Sequence, residues 1–204
     1  MKYKNIVTAW LIRNYKHFSL LNHKEKKTLN IWVFLYTIFN ISWKTYMLHI
    51  ETWKDNPILR TVCEPVKESE LHKYVKIGKE MKKYIKHPSH MGVGLAAPQI
   101  GITKRFLVAS LLKNWEDENY STIFMINPEI IEHSQETTCK YQEWCLSLPN
   151  TKSWYIARYQ KIKVHYFDEK FKEKILWIEG LASAIVQHEI DHLNGILIVD
   201  KFVK

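Results

Sequence analysis

The apolar residues of this chain recur at helical spacing in two places. Between Glu68 and Lys86 they fall every three or four positions, with acids at the start and lysines toward the end, and His87-Pro88 stops the pattern. The second segment, Leu181 to Leu193, opens with a dense apolar run and is closed by Asn194-Gly195. The pattern therefore predicts an amphipathic helix in the first half of the chain and a buried helix near its end.

Short apolar or alternating runs lie between these two helices and are separated by polar loops. Four of them are typical of strands: Arg105–Ala109, Ile123–Ile126, Ile162–Phe167 and Ile175–Ile178. The order of helix, several strands and helix predicts an α+β fold rather than alternating βαβ units. We expect one compact domain.

The N-terminal part of the chain differs from this domain. Its apolar stretch from Ile31 to Trp43 is too short for a membrane-spanning helix, which needs about 20 residues. Neither a signal peptide nor a transit peptide is complete here, so a targeting extension, an added docking helix and sequence outside the working protein stay open. We expect residues 1–46 to be an extension and residues 47–204 to form the domain.

Composition and charge narrow the class of protein. With 46% apolar and 25% charged residues, a wholly disordered or collagen-like chain is excluded. Three cysteines favour a reducing compartment over a disulfide scaffold. The net charge of +9 lies mostly in residues 1–50, which hold a single acid, Glu25, whereas residues 51–204 are nearly balanced. This distribution argues against specific binding of nucleic acid.

The most informative segment is His188-Glu189-Ile190-Asp191-His192. A separation of four residues places both imidazoles one turn apart on one helix face, where they can share a metal ion, and Glu189 can handle the protons of a bound water. A solvated surface helix is the alternative, and the apolar run before the motif argues against it. A catalytic site needs a third ligand. Cys145 is the best candidate, with Cys63 and Cys139 in competition, and spacing does not decide between them.

A third segment, Gly92 to Gly101, combines two close glycines, two alanines and Gln99. Glycines and alanines at this density indicate backbone that another group approaches closely. Gln99 is a neutral hydrogen-bond donor near the end of this loop. A phosphate-binding loop is excluded because no Lys-Ser/Thr pair follows.

Taken together, the three segments resemble the peptide deformylase family. That family carries a G-x-G-L-A-A-P-Q loop, an E-G-C-L-S segment and a Q-H-E-x-D-H helix, which appear here in the same order as Gly92–Gln99, Glu143–Ser147 and Gln187–His192. The resemblance covers roughly residues 47–201 and implies short antiparallel strands around the C-terminal HExxH helix. It also implies a metal-dependent hydrolase that removes the N-formyl group from the N-terminal methionine of newly made proteins and releases formate.

The resemblance implies a role for each residue of the reaction site. One divalent metal ion, typically iron(II) and replaceable by zinc, nickel or cobalt, would be held by Cys145, His188 and His192. Glu189 would take the proton of the attacking water and give it to the leaving amine. Gln99 and the backbone N–H of Leu146 would stabilise the oxyanion.

The same resemblance implies a substrate site beside the metal. Gly94 and Glu143 would line it and hold the substrate backbone. An apolar pocket for the methionine side chain would be walled by Val93, Leu181, Ala184 and Ile185. The expected partners are N-formylmethionyl nascent polypeptides at the ribosome. We expect the protein to be a monomer in the bacterial cytoplasm. If residues 1–46 are a targeting extension, the expected compartment is the interior of a mitochondrion or plastid.

One residue departs from the family pattern, because Trp144 stands where the family has glycine before the ligand cysteine. If that glycine is needed because substrate or a positive φ excludes a side chain, Trp144 would narrow the cleft or reshape the strand. A deformylase-like metal-binding protein with weak or altered activity is therefore one alternative. A zinc peptidase is another, but its third ligand usually lies downstream, and only twelve residues follow His192.

Overall fold

The computed structural model describes residues 48–88, 90, 92–138, 140–151 and 153–201. Helix α1 spans Leu71–Lys86 and helix α2 spans Gly180–Leu193. The strands are β1 Gly94–Ala96, β2 Phe106–Leu111, β3 Ser121–His133, β4 Thr137–Thr138, β5 Gln142–Glu143, β6 Trp154–Tyr155, β7 Arg158–Tyr159, β8 Lys161–Phe167 and β9 Glu173–Glu179. Short 3₁₀ turns cover Glu68–Glu70, Ala97–Ile100 and Ile198–Lys201. The predicted apolar stretch from Ile31 to Trp43 lies outside the described residues, and none of the helices within them could span a membrane.

Five strands form one antiparallel sheet in the order β1-β2-β3-β8-β9. Two small pairs, β4 with β7 and β5 with β6, lie outside this sheet. The α+β class that the sequence predicts is confirmed. The pair of β5 and β6 matters most for the site, because Glu143 and the residues after it continue from β5 into the site.

The two helices pack on opposite faces of the sheet because successive side chains of a strand alternate between its faces. One face, packed against α1, is formed by Leu95, Phe106, Val108, Phe124 and Ile126. The other face, packed against α2, is formed by Ala96, Leu107, Ala109, Met125, Ile162, Val164 and Ile178. Gly78 brings α1 close to the sheet, since a Cβ there would lie 2.6 Å from the ring of Phe124.

Helix α2 lies in the core, as its apolar sequence predicts. Twelve of its fourteen residues are buried, among them both histidines and the glutamate of the HExxH segment. The alternative of a solvated surface helix is therefore wrong.

The predicted strands are all present, but their bounds differ from the expected ones. Strand β3 continues past Ile126 to His133, with register shifts against β8 after Ile126 and again after Ile130. Asn127 takes a φ of +50° at the first of these irregularities, and its side chain bonds both the backbone N–H and the backbone carbonyl of Val66, at 2.8 and 2.9 Å. Asn-Pro at 127–128 predicts a turn locally, yet here it forms a bulge inside a longer strand. Strand β1 and the two small pairs are too short to leave an apolar period in the sequence.

Candidate metal centre

Two histidines of helix α2 meet a cysteine that lies much earlier in the sequence. Within the described residues, Cys145, His188 and His192 form the one cluster of histidine, cysteine or acid side chains that could hold a metal ion, with ligand atoms all within 4.8 Å of one another. The Sγ of Cys145 lies 3.2 Å from the Nε2 of His192. All three side chains are buried. One thiol and two imidazoles are a donor set that suits iron(II), zinc or nickel and leaves a fourth position for water or substrate.

Cys63 does not join this cluster. It is buried in the core between the sheet and α2, and its backbone N–H donates to the carbonyl of Leu193 at 2.9 Å. Burial raises the pKa of its thiol to about 11, although Arg105 acts in the opposite direction. A thiol that stays protonated is a poor metal ligand. Cys139 lies outside the described residues.

The electrostatics of the cluster favour the deprotonated thiol that a metal requires. Burial by itself raises the pKa of Cys145, but the charge of His192 and hydrogen bonds from both histidines outweigh it and lower the pKa well below its ordinary value. Cys145 packs with Leu59, Leu148, Leu197 and Ile198, which close the apolar side of the site. The thiolate is thus held in a dry environment next to its two partner ligands.

A partly buried ionic network orients one of these ligands. The Nδ1 of His188 donates to Glu143 Oε2 at 2.9 Å, and Arg158 donates to both oxygens of the same carboxylate at 2.7 and 2.8 Å. Arg158 also bonds Asp191, which Lys201 contacts at 2.8 Å. A carboxylate behind a metal-ligating histidine fixes the ring and leaves its other nitrogen for the metal.

This network changes the expected role of Glu143. Burial acts to raise the pKa of its carboxyl, but the hydrogen bonds of Arg158 and His188 lower the pKa to about 2, so the group stays ionised. Both oxygens are engaged by protein partners, which favours an orienting role over direct contact with substrate. The sequence reasoning missed Arg158 and Asp191 as parts of the site. Asp191 could have been found from its place within the HExxH segment, whereas no local signal marks Arg158.

Glu189 lies against the segment from Gly92 to Gly101, called the glycine loop below. Its side chain is buried, and a Cβ added at Gly94 would lie 2.2 Å from its Oε1 and 2.7 Å from its carboxyl carbon. Burial raises the pKa of Glu189 to about 7, with the histidines acting to lower it. Its Oε2 has no hydrogen-bond partner among the described residues. An unpartnered carboxylate oxygen in a buried site is suited to a water or substrate atom.

Gln99 has a fixed orientation at the same site. Its Oε1 accepts a hydrogen bond from the N–H of Ala96 at 2.8 Å, so its Nε2 points the other way, 3.3 Å from Ser147 Oγ and 3.8 Å from Cys145 Sγ. The backbone of Glu51 donates to the carbonyl of Gln99 at 2.8 Å and holds this turn from the other side. The amide donor therefore faces the metal ligands. The sequence reasoning did not identify Ser147.

A cleft leads from this centre to the surface. All six predicted substrate residues line it: Val93, Gly94, Glu143, Leu181, Ala184 and Ile185. Gln99, Leu146, His188 and Glu189 line it too, whereas Cys145 and His192 are not among its lining residues. Trp115, Tyr141 and Gln142 also line the cleft, and the sequence analysis did not foresee them.

Trp144 lines the cleft without straining the backbone. Of the described residues other than glycine, those with positive φ are Trp53, Asn127 and Phe171, so Trp144 does not need the conformation that favours glycine. Cys145 next to it is buried beside His192. A positive φ is therefore not the reason to expect glycine here, and the effect of the indole on the cleft is the one to consider.

Comparisons with known proteins agree with the geometry. The family model for polypeptide deformylase matches residues 47–204. The peptide deformylase of Prochlorococcus marinus (strain NATL1A) is 40% identical over 188 residues, which cover 90% of this chain and 84% of that protein. The peptide deformylase of Streptococcus pneumoniae (strain Hungary19A-6) is 35% identical over 164 residues, covering 72% of this chain and 80% of that protein.

Solved structures give the same result. The crystal structure of peptide deformylase from Thermotoga maritima matches with a TM-score of 0.67 and 36% identity, covering 78% of this chain and 99% of that chain. The class I type b peptide deformylase from Acinetobacter baumannii with bound Met-Ala-Ser matches with a TM-score of 0.67 and 32% identity, covering 76% of this chain and 98% of that chain.

The Prochlorococcus match also bears on the N-terminal part of the chain. Residues 47–204 make up less than 90% of the chain, so this match reaches into residues 1–46. The family resemblance recognised in the sequence begins near Met47, and this one relative extends it upstream.

Proposed function

The chain belongs to the polypeptide deformylase family, and we propose how its own residues carry out the reaction of that family. It is a metal-dependent hydrolase that removes the formyl group from N-terminal formylmethionine of newly made proteins. The observation that carries the residue assignment is the convergence of Cys145, His188 and His192 beside Glu189, at a cleft with buried apolar walls.

In this proposal Cys145, His188 and His192 hold one divalent ion, iron(II) in the native protein, with zinc or nickel as replacements. When bound, such an ion polarises the formyl carbonyl and lowers the pKa of a water ligand. Glu143 keeps the proton of His188 on Nδ1, which leaves Nε2 available to the metal. Arg158 keeps Glu143 ionised for that task.

Glu189 moves the proton. Its carboxylate accepts the proton of the water that attacks the formyl carbon and then donates it to the nitrogen of the leaving amine. Burial raises the pKa of this carboxyl group, which favours its uptake of the proton from water. The missing side chain at Gly94 gives the carboxylate its position, and its free Oε2 is available to water.

Two donors stabilise the negative charge that forms on the formyl oxygen. The Nε2 of Gln99 is oriented toward the ligands, and the backbone N–H of Leu146 follows Cys145 directly. Donors that are fixed before the reaction stabilise developing charge without reorganisation, and losing one usually costs about two to three orders of magnitude in rate.

The methionine side chain occupies the apolar end of the cleft. Leu181, Ala184 and Ile185 precede His188 by seven, four and three residues, so they share its helix face, and all three are buried. Val93 completes this pocket from the glycine loop. Gly94 follows Val93 and has no side chain, so its backbone lies next to this pocket and can hold the substrate main chain.

The family acts on nascent N-formylmethionyl polypeptides. For this chain we propose action on polypeptides still at the ribosome, by a monomer without specific nucleic-acid contacts. We propose the bacterial cytoplasm as the compartment. If residues 1–46 are a targeting extension, the compartment is the interior of a mitochondrion or plastid.

The direct test is formate release from formyl-Met-Ala-Ser by protein prepared without oxygen, with metal content measured on the same sample. We expect turnover in proportion to bound metal. A metal-loaded protein that releases no formate would instead be a binding relative. Hydrolysis of a peptide bond of this substrate, without release of formate, would favour a zinc peptidase.

A further inference from the structure

We propose that Trp115 and Trp144 select the residues that follow the formylmethionine, and that they favour chains with a large aromatic or aliphatic side chain at the second or third position. This inference rests on the proposed function, because it takes the cleft to hold the substrate. It concerns the open end of the cleft, beyond the metal and the methionine pocket.

The exposure of the lining residues gives the cleft a direction. Leu181, Ala184 and Glu189 are buried and form its floor. At the other end Trp115 is 52% exposed and Trp144 is 42% exposed. A polypeptide with its formyl group at the metal and its methionine side chain in the buried pocket reaches solvent along the exposed lining residues. Its next residues therefore pass the two indoles.

The chemistry of this exposed end is aromatic and uncharged. Among the described residues, no lysine, arginine or aspartate lines the cleft, and its acids are the partly buried Glu143 and the buried Glu189. Exposed indoles offer a large apolar surface whose burial is favourable, and they stack well on rings and long aliphatic chains. A second or third residue of that kind gains contacts that alanine or glycine cannot make.

The backbone on both sides of Trp115 forms a hydrogen-bonded turn. It lies in the connection between β2 and β3, where Asp117 accepts hydrogen bonds from the backbone N–H of Lys113 at 3.0 Å and of Asn119 at 3.1 Å. The side chain of Asn114 accepts another from the N–H of Glu116 at 3.0 Å. An ordered turn costs less conformational entropy when a ligand packs on it.

Trp144 is fixed by its two neighbours. Glu143 before it belongs to β5, pairs with Trp154 of β6 and is bound by Arg158, while Cys145 after it is buried at the metal centre. The backbone of Trp144 therefore moves little relative to the ligands. A residue that replaces the family glycine at this point extends the substrate site rather than the metal site.

The test compares kcat/KM for formyl-Met-Ala-Ala, formyl-Met-Phe-Ala, formyl-Met-Ala-Phe and the corresponding leucine peptides, on the metal-loaded full chain. We expect Phe or Leu at one of the two positions to raise kcat/KM roughly 5- to 20-fold over alanine, the size that added apolar contacts give. In the variants Trp144→Gly and Trp115→Ala, the ratio of kcat/KM for the Phe or Leu peptide to kcat/KM for the alanine peptide falls toward 1. The matched control is Trp177→Ala, because Trp177 is equally exposed at 42% but does not line the cleft; it keeps the full ratio.

The outcomes separate this inference from the proposed function. If none of the peptides releases formate, the proposed function fails. If all are deformylated with equal kcat/KM by the unmodified chain, the function stands and the selection by tryptophans is wrong. If Trp144→Gly raises kcat/KM on every peptide by the same factor, the indole only obstructs the cleft, and the inference is overturned. Should that variant not fold, the substrate series on the unmodified chain and on Trp115→Ala decides alone.

Discussion

Gly94 provides the space that the carboxylate of Glu189 occupies. A Cβ at residue 94 would lie 2.2 Å from Oε1 of Glu189, a distance that no relaxed structure accommodates without moving one of the two. Gly94 is in strand β1 and Glu189 is in helix α2, 95 positions later in the chain. The glycine loop and the metal-binding helix are thus parts of one arrangement, and the residue type at Gly94 follows from the position of the proton carrier.

Replacing Gly94 by alanine is therefore expected to displace Glu189 and to lower formate release by about two orders of magnitude, within the range for loss of a positioned acid–base group. The metal should stay, because the three atoms nearest to the added methyl group all belong to Glu189, which is not a ligand. Gly92→Ala is the control, since the atoms nearest to a Cβ there are Cδ1 of Leu146 at 3.3 Å and Cγ2 of Ile85 at 3.5 Å, and none of them belongs to Glu189. Equal losses in the two variants would show that the loop, and not the carboxylate, was disturbed.

Glu189→Gln is expected to keep the metal and to lose nearly all turnover, since an amide cannot accept the proton of water. The loss should be about two to four orders of magnitude in kcat. Formate release and metal content are measured on the same preparation, with the exposed Glu68→Gln as control. Near-normal turnover of the amide variant would mean that another group carries the proton.

Cys145→Ser is expected to weaken or abolish metal binding, whereas Cys63→Ala and Cys139→Ala keep it. The reason is that Cys145 lies 3.2 Å from His192, whereas Cys63 is in the core with a pKa of about 11. Metal analysis of the three variants after dialysis decides this. A large loss of metal from Cys139→Ala would show that the middle motif has been aligned to the wrong cysteine.

Glu143→Gln is expected to lower stability at neutral pH and much less in acid. The pKa of Glu143 is lowered from 4.5 to about 2, so its ionised form stabilises the fold above pH 4.5, and this contribution is lost as pH falls from 4.5 toward 2. At pH 7 the difference from the unmodified chain should reach at most about 3 kcal/mol. Urea unfolding of the metal-free proteins at pH 7, 5 and 3 measures it.

The control for this prediction is Glu132→Gln, a more exposed acid that pairs with Lys163 at 3.2 Å. Its effect should be small at every pH. A stability difference for Glu143→Gln that is the same at pH 7 and pH 3 would contradict the ionic role of Glu143.

A chain begun at Met47 is expected to fold, bind metal and keep the activity of the full chain. The residues just after that point already contact the domain, because Leu48 and Ile50 pack against the core beside α1 and Glu51 bonds the backbone of Gln99. Thermal midpoints and formate release of the two chains test this. If Ile31 to Trp43 instead pack on the domain, truncation costs several kcal/mol, at about 25 cal/mol per Å² of apolar surface, and the midpoint drops sharply.

Much of the site could be predicted from local sequence, because its key elements depend on short spacings. The pair His188 and His192 needs only the period of a helix, and the apolar run before it predicts that this helix is buried. The glycines of the loop signal a close approach, but the sequence does not say which group approaches. The structure identifies that group at Gly94 as Glu189.

The sequence by itself determined the α+β class, both helices, the four longer strands and the family, since each depends on a local period or on motifs in order. Only the tertiary structure decided that Cys63 lies apart from the metal ligands, that Glu143 bonds Arg158 and His188, and that Trp115 lines the cleft. The physical reason is that these contacts join residues that are distant in the chain. Their distances follow from strand register and from the packing of α2 on the sheet, which no local pattern of residues specifies.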